Sequence, residues 1–230
     1  MTRTFSASPP PAGPGRAATW FRAMAAVALT LGVVCQFVQR TDPTPALLYF
    51  TVDSAVLATA VMLLGLPHGP ADSVRADRVR GAAVVGVVFS SLVYMTVIAP
   101  SSPSGTWFGA HDDAWARTAT VLLHGAAPAL VVVEFLLTPY ALAATWREAT
   151  RLTWWPTAYL AVVGTLSWSG AATMPYVFLR PSRFGAINVA VAVAVLYAVV
   201  VALGVALASA HRAVRRRHRT AEITGVGTHD

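Results

Sequence analysis

Apolar residues in this chain come in long, nearly unbroken blocks rather than in the alternation of a strand or the narrow stripe of a water-soluble helix. Six such blocks stand out, over 18–38, 46–66, 81–99, 115–138, 154–175 and 186–210. A helix of roughly 20 apolar residues crosses the hydrocarbon core of a bilayer, and a helix is one of the few structures that satisfies its own backbone there. Between the blocks lie stretches with turn chemistry: TDPTP at 41–45, PHGPADSVRADRVR at 67–80, PSSPSGTWFGAHDD at 100–113 and MPYVFLRPSRFG at 174–185. The segment 139–153, PYALAATWREATRLT, reads as a helix lying at the membrane interface, with Trp146 and Arg147 as its anchors. The expected fold is an all-α integral membrane protein with a six-helix transmembrane bundle over 18–210. A Pro/Gly/Ser-rich tail over 1–17, too poor in large apolar residues to pack, precedes it, and a basic tail over 211–230 follows.

Composition agrees with this reading. The chain is 56% hydrophobic and only 12% charged, more apolar than a soluble core of this size requires. All 17 basic residues are arginine, and a net charge of +7 by itself invites a nucleic-acid partner. The arginines flank apolar blocks, however, where they act as topology determinants and headgroup contacts, so membrane lipids are the expected partners and nucleic acid is not. With the N-terminus inside, the inner side holds Arg3, Arg16, Arg22, Arg75, Arg78, Arg80, Arg147, Arg151, Arg212, Arg215, Arg216, Arg217 and Arg219, against Arg40, Arg117, Arg180 and Arg183 outside. That asymmetry predicts a multi-pass protein of the cell membrane with both termini cytoplasmic. Cys35 is the sole cysteine, which excludes an intrachain disulfide and a cysteine metal cage. No small-x-small site follows the first block, so it is expected to remain as an uncleaved helix.

Direction gives each intramembrane polar residue a depth, at about 1.5 Å per residue. Thr51, Asp53 and Ser54 fall about 8 to 12 Å below the outer end of the second block, and His124 about 14 Å down the fourth. Tyr94 lies about 8 Å, and Thr165, Ser167 and Ser169 about 9 to 15 Å, below the outer boundary, while Asn188 opens the last block. One cavity in the outer half of the bundle would gather these groups. The alternative is scatter, with each hydroxyl bonded back to a carbonyl of its own helix. Thr51 and Ser54, three apart, share a helix face, whereas Asp53 points away from Thr51 and needs another partner. Pro128, four residues after His124, removes a helix hydrogen bond and crowds the His124 carbonyl, which predicts a kink. Glu134 lies too near the inner end to pair with His124, so Asp53 and Glu134 are two intramembrane acids without an assigned role.

The remaining histidines fall in loops or tails, which leaves a haem without a second ligand. No zinc spacing, nucleophile elbow, phosphate loop or dinucleotide fingerprint is present. No metal and no cofactor are expected. What remains is a hydroxyl and an imidazole at similar depth: Thr51 as nucleophile and His124 as its base. Ser54, Tyr94, Ser167 and the backbone at the Pro128 kink are the groups available to support an oxyanion.

The order and context of YFTVDS at 49–54, LLHGAAPALVVVEFLL at 122–137, WPTAYL at 155–160 and MPYVFL at 174–179 resemble the androgen-induced and androgen-dependent transmembrane protein family and its six-span actinobacterial relatives. The resemblance covers roughly residues 18 to 210. It implies an intramembrane threonine hydrolase that cleaves fatty-acid esters of hydroxy fatty acids. Thr51 matches the family's nucleophile and His124, in its H-x3-P context, the base; Glu134 matches an acid late in the same span, and Tyr176, Phe178 and Leu179 match a Tyr-x-Phe-Leu signature. Asp53 stands where relatives more often carry an amide, and Arg180 where they often carry an acid. The expected function is hydrolysis of a small lipid-like ester; the alternative is a non-enzymatic protein that binds or carries a lipid or small amphiphile in the same cavity.

Overall fold

The computed structural model describes residues 15–64, 73–102, 107–108, 113–139 and 143–225, with side chains described up to 217. The first fourteen residues of the expected N-terminal tail lie outside this set, as do parts of the turns at 67–80 and 100–113. Helix α1 spans Arg16–Val38, and a 3-10 turn at Ala46–Leu48 leads into α2, Phe50–Leu64. Helix α3, Ser73–Val93, runs on as a π-helical turn at Tyr94–Ile98. Helix α4, Ala114–Val121, passes through a second π turn at Leu122–Ala126 into α5, Ala127–Leu137. The short α6, Trp146–Arg151, precedes α7, Trp154–Trp168; a 3-10 turn at Val177–Leu179 and α8, Pro181–Phe184, lead to the long α9, Ala186–Gly225. No strand occurs among the described residues.

Four helical stretches are long and apolar enough to cross a membrane: Arg16–Val38, Val74–Ile98, Ala114–Leu137 and Ala186–Arg217. The second and fifth apolar blocks form shorter helices of 15 residues each, about 22 Å long. The fifth block was expected to stay helical to 175 and stops at Trp168, where Gly170 takes a positive φ of 76° and turns the chain. Arg16 and Ala17, assigned to the tail, are helical, and the helix expected to begin at 81 begins at Ser73. The final helix continues through the basic stretch to Gly225. Expected as an interfacial helix, 139–153 contains α6, whose first turn is capped by the Thr145 hydroxyl accepting the Glu148 amide at 3.3 Å.

Helix α1 packs on α5, α2 and α4, and α3 fills the gap between α2 and α5. Their shared core is dominated by small residues, among them Ala25, Ala58, Ala83 and Ala127, with Leu29 and Val131 fully enclosed. Small side chains let helix backbones approach closely, which matters where surrounding lipid is as apolar as the interior. A second core joins Phe50, Phe89, Tyr159, Leu179 and Val200 from α2, α3, α7, the 3-10 turn and α9. The Tyr159 hydroxyl donates to the Leu48 carbonyl at 2.7 Å and ties α7 to the start of α2.

One end of the bundle is built around Glu134, which is fully buried. Arg22 of α1 reaches its Oε1 through Nε at 3.1 Å, Arg80 of α3 donates to the same oxygen, and the Thr138 hydroxyl adds a bond at 2.9 Å. Arg22 and Arg80, expected at lipid headgroups, therefore turn inward, and the acid that lacked a role joins three helices. The Thr138 carbonyl accepts in turn from His211 Nε2 of α9 at 2.9 Å. Nearby, Glu148 is held by Arg78 and by Arg151, the latter at 2.9 Å.

Removing one partner of a buried ion pair leaves the other charge uncompensated, at a cost of about 3–5 kcal/mol. Glu134→Ala strands two arginines and is expected to lower stability by that order, measured by denaturation of the detergent-solubilised protein. A loss no larger than that of a control at the exposed Arg183, Arg183→Ala, rules out the cluster as a structural tie. The Arg78 guanidinium holds the Glu148 carboxyl below its ordinary 4.5, with Arg151 contributing. A depressed acid stabilises the fold above its unfolded value and loses that contribution as pH falls through its folded value. Fluorescence of Trp146, 64% exposed on α6, should accordingly report α6 loosening below pH 4.5 and no change between there and neutrality.

Candidate functional site

At the end of the bundle away from Glu134, a cavity of about 400 Å³ opens between α1, α2, the two π turns and the stretch before α8. Arg22 and Gln36 of α1, or Arg80 and Tyr94 of the α3 segment, stand 14 residues apart, which separates the two polar centres by about 21 Å along each helix. Gln36, Gln39 and Asp42 line the cavity from the end of α1 and the connection after it. Thr51 comes from the first turn of α2, Tyr94 and His124 from the π turns, and Tyr176 and Phe178 from the stretch after α7. Thr51 and His124 thus face one cavity.

Local sequence explains how His124 is held. Pro128 has no amide proton to offer the carbonyl four residues back, which belongs to His124. The helix responds by widening: the Ala127 amide bonds to the Leu122 carbonyl, five residues away, and forms the π turn. The His124 carbonyl is taken instead by the buried Ser91 hydroxyl of α3 at 2.6 Å. The imidazole stacks on the Tyr94 ring with centroids 3.9 Å apart and planes 7° from parallel, so one π turn lies against the other. His124 is only 8% exposed and its Nδ1 has no hydrogen-bond partner among the described residues. An imidazole without an orienting acid has no side chain to fix its tautomer, and Nδ1 is left as a bond the described residues do not make.

Thr51 is positioned from the opposite wall. The Phe50 amide, one of the unpaired donors at the start of α2, donates to the Tyr176 hydroxyl at 3.0 Å, and that hydroxyl also interacts with the hydroxyl and amide of Thr51. A phenol hydroxyl can donate as well as accept, so Tyr176 can serve both sides of this junction. Arg180 braces this stretch by donating to the Met174 carbonyl at 2.6 Å. A second, smaller pocket of about 50 Å³ lies beyond, walled by Phe50, Phe89, Tyr159, Leu160 and Leu196. Thr51, Ile98, Tyr176 and Phe178 line both pockets, so Thr51 stands at the partition between a polar chamber and an apolar one.

The other residues singled out from the sequence lie elsewhere. Ser54 was expected on the cavity wall beside Thr51; it is fully buried away from the cavity, accepting the Trp155 indole N–H at 3.0 Å. The rotation of about 60° between residues three apart turns it into the seam with α3, where a Cβ on Gly86 would stand 2.9 Å from its Oγ. Ser167 lies on α7 outside both pockets. Thr165 bonds back to the Ala161 carbonyl at 2.6 Å and Ser169 to Leu166 at 3.0 Å, the scatter alternative in both cases. Asn188 is exposed and donates to the Phe184 carbonyl at 2.8 Å. Asp53 is half-buried in the first turn of α2 with no side-chain hydrogen bond among the described residues, at a helix end whose dipole favours negative charge.

Asp42 is the cavity residue that sequence reasoning missed. Gln39 Oε1 accepts the amides of Thr41 and Asp42 at 3.0 and 2.9 Å and so folds the connection back on itself. Asp42 then accepts the Thr44 amide at 2.9 Å and the Tyr49 hydroxyl at 2.6 Å. An Asp-Pro pair between two apolar blocks signals a turn, and nothing local says which way its carboxylate faces.

Among the described residues no group of three metal-ligating side chains forms a metal site. The class defined by fold and site is an all-helical protein with four helices of membrane length and a polar cavity at one end of the bundle. No family model, curated protein or solved structure matches the chain.

Ser91→Ala leaves a buried carbonyl unsatisfied, at a cost of about 1–3 kcal/mol. Pro128→Ala restores an amide at the position that serves this carbonyl, so in that background Ser91→Ala should cost less than half as much by denaturant unfolding. Equal costs in the two backgrounds mean that Ser91 does not replace the missing amide.

Proposed function

We propose that this protein is an intramembrane lipid-ester hydrolase in which Thr51 is the nucleophile and His124 the base. The observation that carries this reading is that Thr51 and His124 line the same cavity from different helices, with the His124 imidazole nine-tenths buried and its Nδ1 unpartnered. Thr51 Oγ1 attacks the ester carbonyl and gives its proton to the imidazole; the C–O bond to the alcohol breaks and the alcohol leaves with that proton. Water, deprotonated by the same imidazole, then releases the acid from the acyl-threonine. Tyr176, a phenol interacting with the Thr51 hydroxyl, is the donor best placed for the oxyanion. It takes the place in the proposal that Ser54 and Ser167 held.

The substrate is a small lipid-like ester, with esters of hydroxy fatty acids as the class that the sequence resemblance implies. In the bilayer, all six apolar segments cross, with α2 and α7 completed by the 3-10 turns near their ends, and both termini face the cytoplasm of the cell membrane. Support comes from the arginine asymmetry and from the gathering of Arg22, Arg78, Arg80 and Arg151 at the bundle end away from the cavity. A second reading, binding or carrying an amphiphile without turnover, is favoured by one observation: the Thr51 hydroxyl interacts with Tyr176.

A fluorophosphonate probe separates the two. The hydrolase labels in the wild type, fails to label as Thr51→Ala, and labels about 10²–10⁴-fold more slowly as His124→Ala, the usual range for loss of a general base. Equal labelling of wild type and Thr51→Ala, or none of either, overturns the hydrolase.

A further inference from the structure

The chemistry of the cavity goes beyond a hydroxyl and an imidazole. Among the described residues lining it, Asp42 is the one acid, and neither arginine nor lysine joins it. Its two hydrogen bonds come from neutral donors, the Thr44 amide and the Tyr49 hydroxyl. No described cation lies within ion-pair distance of Asp42; Arg40, two residues away, is exposed and forms no pair with it. A carboxylate without a counter-charge on the wall of a concave, low-dielectric chamber focuses a negative potential into it. Elsewhere in the protein the buried acid is neutralised by arginine, as Glu134 is by Arg22 and Arg80.

The same chamber is rich in aromatic faces. Tyr49 meets Tyr176 edge-on at 6.1 Å, Tyr176 stacks on Phe178 at 5.6 Å, and Tyr94 and Phe108 stand on other parts of the wall. Ring faces attract cations, quaternary ammonium groups most selectively of all. The Phe108 ring already carries one, with the Arg117 guanidinium 5.5 Å from its centroid, although Arg117 itself does not line the cavity. The volume of about 400 Å³ suits a small organic head, and the apolar pocket across Thr51 suits a chain.

We infer that the cavity takes an amphiphile with a cationic head, an amine or quaternary ammonium seated at Asp42 among the tyrosine rings, and that its chain extends past Thr51 into the apolar pocket. Head recognition stands on the cavity alone; placing an ester carbonyl at Thr51 rests on the hydrolase proposed above. The carboxylate excludes anionic heads as strongly as it attracts cationic ones, so a free fatty acid, a phosphate monoester and a hydroxy-fatty-acid ester with its own carboxylate free are all disfavoured, and a cation-headed ester replaces the substrate class that the resemblance implies. Since the acid product of ester cleavage is itself an anion, the same charge favours its departure.

The test uses the full chain in neutral maltoside micelles, with hexyltrimethylammonium, hexanesulfonate and hexanol as probes of equal chain length and different head, followed by calorimetry. The expected result is at least ten-fold tighter binding of the ammonium than of the sulfonate. Asp42→Asn, which keeps an acceptor for the Thr44 amide and presents its NH2 group to the Tyr49 hydroxyl oxygen, should abolish that preference while hexanol affinity is unchanged, and Asp42→Glu should retain it. No cation preference in the wild type, or a preference that survives in Asp42→Asn, overturns the inference. Fluorophosphonate labelling without cation preference removes this inference and leaves the hydrolase; cation preference without labelling does the reverse.

Discussion

The bundle depends on how a buried charge is satisfied where neither water nor lipid can do it. Glu134 draws one arginine from α1 and one from α3 onto a single carboxylate oxygen, so α5 is tied to both at a fixed height. The apolar core beside it is made mostly of alanine and valine, which permit close approach but specify register weakly. Height and rotation are therefore set by the ion cluster, and they carry along the π turn ten residues earlier that holds His124. The cost of burying three charges is offset only if all three stay together, which makes the cluster intolerant of a missing member.

From that anchor the cavity end follows by a chain of unmet hydrogen bonds. Pro128 withholds an amide, the helix widens, and Ser91 supplies the missing donor. The start of α2 has surplus amides, and Tyr176 accepts one of them. In both places the group that repairs a backbone defect comes from a distant segment and stands next to Thr51 or His124. Site geometry and helix-end chemistry are the same problem here, solved once.

Much of the architecture was readable in the chain. Blocks of apolar residues marked where the six main helical stretches lie, although three of their ends moved by seven residues or more, and Pro128 marked the distortion at His124. Where reading failed, the cause was tertiary. Helix α3 starts early because its charged first turns, read as a loop, are held by Glu134 and Glu148, residues with no sequence proximity. Arg22 and Arg80 looked like headgroup contacts because a flanking arginine looks the same whether its side chain snorkels outward or folds inward. Ser54 and Thr51 were grouped by helical phase, but a face shared to within about 60° is wide enough for one residue to meet a cavity and the other a neighbouring helix. Asp42 belongs to a turn whose side-chain direction is decided by Gln39 and Tyr49.

The paired π turns carry a consequence for how this chain can vary. Each holds one residue more than an α-helical turn would, an insertion accommodated without changing the helix on either side. Deleting a single residue within 122–126 would return that segment to ordinary winding and leave the helices on either side in place, so that only the residues of the turn itself change direction. The imidazole would swing off the Tyr94 ring while the ion cluster stayed intact. The protein therefore contains a natural indel point at which the cavity-lining residues of one turn can be redirected independently of the scaffold that supports them.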